Sequence, residues 1–115
     1  MHSGEVSCVA LSSTRMIATA GRDGSIHVYK DFDRVKTIHS TDRVPVTALD
    51  FTSSGDIVFG TNNGQVQFYK VSADRLTLVY EKQYCPVLAI CSYDKTIAVS
   101  TSREFLLFTD KGKTL

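Results

Sequence analysis

Gly21-Arg22-Asp23-Gly24-Ser25-Ile26-His27-Val28-Tyr29-Lys30 returns as Thr61-Asn62-Asn63-Gly64-Gln65-Val66-Gln67-Phe68-Tyr69-Lys70, which sets Tyr29 and Tyr69 40 residues apart. A period near 40 marks a repeat architecture, in which one unit cannot bury its apolar faces alone and must stack against the next. Upstream of the two copies, Val6, Val9 and Leu11 match Val46, Leu49 and Phe51 in spacing and type. A third pass is fainter and runs Val87 to Cys91, Thr96 to Ser100 and Glu104 to Phe108, stopping at Lys113-Thr114-Leu115 where a fourth strand should be starting.

The segments within each pass read as strands. Val6 to Leu11, Met16 to Ala20, Ser25 to Tyr29 and Val35 to His39 are short, rich in β-branched residues and bounded by turn formers. Asp23-Gly24 and Asn63-Gly64 offer tight hairpin reversals of the primed types, because these residues tolerate positive φ. The spacing of three between Val6 and Val9 also suits a helical stripe. Segment length and turn signals about every 8–12 residues favour all-β architecture instead.

The bulk composition narrows the class without naming a function. The chain has 115 residues, enough for one compact domain, and 43% hydrophobic with 22% charged residues excludes wholesale disorder. Lys plus Arg number 13 against 12 Asp plus Glu, interspersed, which is no footprint for nucleic acid or an anionic membrane. Cys8, Cys85 and Cys91 are an odd, sparse set, two of them inside apolar runs, and read as core thiols in a reducing compartment. With no secretory signal and no apolar stretch of membrane-spanning length, the expected location is the cytoplasm, or the nucleus.

His2-Ser3-Gly4-Glu5-Val6-Ser7-Cys8-Val9-Ala10-Leu11-Ser12 and Ala18-Thr19-Ala20-Gly21-Arg22-Asp23-Gly24-Ser25-Ile26-His27-Val28-Tyr29-Lys30 together resemble the WD-repeat β-propellers. The likeness is strong in the first repeat, fair in the second and weak in the third. It implies three consecutive four-stranded antiparallel blades, at about 1–40, 41–82 and 83–115, the last lacking its final strand. It also implies a structural hydrogen-bond relay of His2, Thr19, Asp23 and Tyr29, with Tyr replacing the usual Trp. In the second repeat Asp42, Phe59 and Asn63 stand where the family has His, Ser/Thr and Asp, so no relay is expected there; the third is expected to hold by packing alone.

Propellers close with about 4–8 blades, each covered by the next. Three blades form an incomplete ring, so the remaining blades are expected from a longer chain, a second copy or another subunit, with a fragment of a longer propeller favoured. In the propeller arrangement the turns between second and third strands gather with the loops before each first strand. That puts Arg22, Asn62 and Arg103 beside Asp42, Arg43 and Tyr84 as a candidate protein-binding face, since Arg and Tyr combine contact area with directional hydrogen bonds.

Catalysis has no foothold in the sequence. There is no Gly-x-Ser-x-Gly elbow or phosphate loop, and His2, His27, His39, Cys85 and Cys91 lack the paired spacing of a zinc site. The reading is therefore a non-catalytic protein-interaction scaffold with no metal and no cofactor. The alternatives are an architectural subunit of a membrane-traffic coat or other large complex, and a nucleotide-exchange factor or enzyme built on the same blades.

Overall fold

The computed structural model describes residues 6–12, 15–31, 33–39, 43–53, 55–70, 75–82, 85–109 and 113, and within them the chain forms three antiparallel sheets. The first holds β1 (Val6–Leu11), β2 (Met16–Gly21), β3 (Ser25–Lys30) and β4 (Asp33–His39), in that order. The second repeats the plan with β5 (Val46–Phe51), β6 (Ile57–Thr61), β7 (Gln65–Lys70) and β8 (Arg75–Glu81). The third has β9 (Val87–Tyr93), β10 (Thr96–Thr101) and β11 (Phe105–Thr109). The first strands β1, β5 and β9 are neighbours, so the sheets stack face to face around a common inner edge. This all-β arrangement of 4, 4 and 3 strands, unclosed, is that of incomplete propeller blades.

Alternation along each strand builds two cores, because successive side chains leave opposite faces of a sheet. Between the first and second sheets, Ala10, Ala18 and Ala20 lie under Leu49, Phe51 and Phe59. Between the second and third, Ala48 and Val58 meet Val87, Ile97, Val99 and Phe108. Gly60 belongs to that second contact: a Cβ there would lie 2.3 Å from Val87 Cγ1, so only hydrogen fits. Polar links reinforce it, for Thr47 Oγ1 donates to the Val87 carbonyl and the Ser92 amide donates to Asp50 Oδ2 at 2.7 Å.

The hairpins depart from the expected primed turns. Between β2 and β3 the loop is the three residues Arg22-Asp23-Gly24, and between β6 and β7 it is Asn62-Asn63-Gly64. Only the glycine of each takes positive φ, 76° at Gly24 and 90° at Gly64. A two-residue primed turn needs more from its central pair, whereas a three-residue loop asks for one left-handed position, at its end. Asp and Asn thus serve for their side-chain oxygens, not their backbone tolerance.

One thiol is not where its apolar run suggested. Cys85 is buried and Cys8 half-buried, but Cys91 is exposed, on the face of the third sheet turned away from the second. None of the three is in a disulfide.

Candidate protein-binding face

The face grows from the turns that end the second strands. At the first, the Gly24 amide donates to the Gly21 carbonyl at 3.2 Å, and Asp23 Oδ1 accepts from both the amide and the hydroxyl of Ser25, at 3.1 and 2.7 Å. At the second, Gly64 N–H donates to the Thr61 carbonyl at 3.3 Å. The Thr61 hydroxyl donates to Asn63 Oδ1 and accepts the Gln65 amide. At the third, Thr101 Oγ1 accepts the amides of Arg103 and Glu104 at 3.3 and 2.9 Å. Each turn is thereby fixed from within, which lowers the ordering cost of anything that binds its tip.

Each turn is also joined to the segment that leads into the following or the same sheet. The Asn62 amide donates to the Pro45 carbonyl and the Ser102 amide to the Pro86 carbonyl, both at 3.1 Å. A Cβ on Gly24 would lie 2.4 Å from the Arg43 carbonyl carbon, and one on Gly64 would lie 1.9 Å from the Lys82 carbonyl oxygen. Turn, lead-in and next turn therefore form one continuous row across the three sheets.

Along that row Arg22, Arg43, Asn62 and Arg103 are all exposed. Gly24, two residues on from Arg22, lies against the Arg43 main chain, and the Asn62 amide meets Pro45, two residues on from Arg43. Arg103 lies at the far end, on the turn tied to Pro86. Asp42 and Tyr84 fall outside the described residues.

The relay is placed only in part, because His2 is also outside the described residues. Thr19, Asp23 and Tyr29 are half-buried, with Asp23 engaged by Ser25. Thr19 stands opposite His27 and Tyr29 opposite Ile17, and buried His27 shares a 3.0 Å hydrogen bond between its Nδ1 and Thr37 Oγ1. In the second and third sheets the main-chain ties at Pro45 and Pro86 join lead-in to turn. The third sheet, read as held by packing alone, has that tie and the Thr101 hydroxyl besides. A proline one residue before each of these first strands was the sequence signal for it.

A further cluster was not anticipated. Glu104 Oε1 accepts from Lys82 Nζ at 2.7 Å and from the Tyr80 hydroxyl at 2.9 Å, clasping β8 to the third turn, while the Tyr80 ring meets Phe108 edge-on at 6.3 Å. Lys82, first by its hydrogen bond, and then Tyr80 hold the Glu104 carboxyl below its ordinary range. The same hydrogen bond raises Lys82, while desolvation and then Glu104 raise Tyr80. A lowered carboxyl pKa means that the unfolded chain takes up the proton first. Its stabilisation is complete above the ordinary Glu value of about 4.3 and disappears as pH falls through the lower folded value. Lys82 and Tyr80 act in the opposite sense, their contribution holding below their ordinary values near 10 and fading as pH rises through the folded ones. Glu104→Gln is thus expected to destabilise slightly at neutral pH, with the difference from wild type vanishing in acid; urea midpoints across pH check this, and a constant difference would refute it.

Among the described residues, no three His, Cys, Asp or Glu side chains converge as a metal site. Against known families, residues 1–30 match the WD domain, G-beta repeat. No curated protein matches the chain. Repeats of that family generally serve as protein-interaction scaffolds and are typically non-catalytic.

Proposed function

We propose, on the premise that this chain is a piece of a WD-repeat propeller, that it is a non-catalytic scaffold that receives partner proteins on the row of turns and lead-in segments. The binding residues are Arg22, Asp42, Arg43, Asn62, Tyr84 and Arg103, carried by blades at about 1–40, 41–82 and 83–115. The observation that supports this reading is the main-chain joinery of the row, which presents exposed arginines on backbone that needs no rearrangement to bind. Remaining blades come from a longer chain, a second copy or another subunit. The work is done in the cytoplasm or the nucleus, where three cysteines without a disulfide suit a reducing milieu.

Replacing Arg22 and Arg43 together by alanine is expected to weaken a partner at least tenfold, about 1.4 kcal/mol, without loss of folded signal. Arg75→Ala, at the opposite end of the second sheet where β8 begins, is the matched control. Pull-downs quantified for both variants decide the matter: equal recovery from the double variant and the control would overturn the assignment.

A further inference from the structure

Asn62 and Asn63 are the asparagines of this sequence, and Asn63 is followed by Gly64. In that order the backbone nitrogen of the glycine can attack the side-chain amide of the asparagine, because no Cβ on the glycine shields it. The nitrogen gives up its proton to water and bonds to Asn63 Cγ, the Cγ–Nδ2 bond breaks, and ammonia leaves with a proton taken from water. The ring so formed is a succinimide. Water opens it at Cγ to leave an aspartate, or at the Asn63 carbonyl carbon to leave an isoaspartate that reaches Gly64 through its side chain. Asn62 is slower to react in this way, since the residue after it carries a side chain.

In the folded turn Thr61 holds both reacting groups. Its carbonyl accepts the Gly64 N–H at 3.3 Å, which occupies the nucleophile, and its hydroxyl donates to Asn63 Oδ1, which fixes the side-chain amide. The same hydroxyl accepts the Gln65 amide at 3.1 Å, and the Gly64 carbonyl accepts the Lys82 amide at 3.0 Å. The turn therefore cannot rearrange toward the ring without loosening both its own strand and the lead-in to the third sheet. Asn63 is exposed while Thr61 is fully buried, so water reaches the amide but the group that restrains it is fixed from below.

We infer that Asn63 is a site of spontaneous deamidation whose rate is set by opening of this turn, with Thr61 as the latch. The two products fare differently. Asp23 stands at the same place in the first turn, where its carboxylate accepts from Ser25 and the glycine after it keeps a φ of 76°. An aspartate is thus a residue that a turn of this shape accepts. The isoaspartate lengthens the main chain by a methylene where Gly64 is pressed against Lys82, whose carbonyl oxygen lies 1.9 Å from a Cβ position, and the fit there is lost. The aspartate adds a negative charge to a row whose exposed side chains include Arg22, Arg43 and Arg103. The inference itself rests on the turn geometry and not on the binding-face reading.

The test incubates the full chain at mildly alkaline pH, folded in buffer and unfolded in guanidinium chloride, and follows Asn63 by peptide mass mapping and isoelectric focusing. Conversion at least about tenfold slower in buffer than in denaturant is expected, since only the open fraction reacts. Thr61→Val removes the hydroxyl at nearly constant volume; it should erase most of that protection in buffer and leave the rate in denaturant unchanged. Thr101→Val takes the corresponding hydroxyl from the third turn, where it accepts the amides of Arg103 and Glu104, and should leave Asn63 as slow as in wild type. Asn63→Asp carries the direct product outright and should keep the wild-type denaturation midpoint. Equal rates in buffer and denaturant overturn the latch, as do equal effects of the two valine variants. An Asn63 that stays intact in denaturant overturns the site, and a lowered midpoint for Asn63→Asp overturns the acceptance of its product.

Discussion

Phe59→Ala is expected to lower the unfolding free energy by about 3–5 kcal/mol. The ring is fully buried at the centre of β6, opposite Leu49 on one strand and Gln67 on the other. Its neighbours across the sheet contact include Ala18 and Ala20, which cannot swing in to fill the space left behind. The loss therefore combines the transfer of an aromatic side chain with a cavity that the surroundings do not close. For a domain whose total stability is on the order of 5–15 kcal/mol, that is a large fraction. Tyr93→Ala, at a site 84% exposed, provides the reference and should shift stability by no more than about 0.5 kcal/mol. If urea denaturation gave the two variants similar midpoints, the packing of the first two sheets described above would be wrong.

Gly64→Ala should be nearly as damaging, for a different reason. With φ at +90°, any Cβ is strained, and here it would also lie 1.9 Å from the Lys82 carbonyl oxygen. That oxygen belongs to main chain that is itself held, since the Lys82 amide donates to the Gly64 carbonyl at 3.0 Å. Gly55 isolates the two effects: its φ is +87°, but nothing lies within 4 Å of a Cβ built there. Gly55→Ala should therefore cost only the left-handed strain, about 1–2 kcal/mol. Gly64→Ala adds overpacking to it, for a total of roughly 3 kcal/mol or more. Equal losses at the two glycines would show that the turn and the lead-in segment are not pressed together.

What the sequence made legible was whatever repeats. Tyr29 and Tyr69, with the apolar runs on either side, located the strands to within one or two residues, because period-2 burial and turn chemistry leave marks in single segments. Less legible was anything that depends on loop length, as the hairpins show: Asp-Gly suggested a primed turn, and one additional loop residue changed it. Contacts between sheets were illegible for a plainer reason. Glu104 meets Lys82 and Tyr80 from across a sheet boundary, and no local pattern marks such a meeting. The ties at Asn62 and Ser102 use only peptide groups, which every sequence possesses. Cys91 was misjudged because an apolar run implies burial only when something covers it.

Those peptide ties have an evolutionary corollary. An amide of residue 62 or 102 can reach its proline carbonyl whatever side chain the residue bears, so long as it is not itself a proline. Mutation at the tips is then uncoupled from the architecture beneath, and a lineage can revise what these positions greet without renegotiating how the sheets are held.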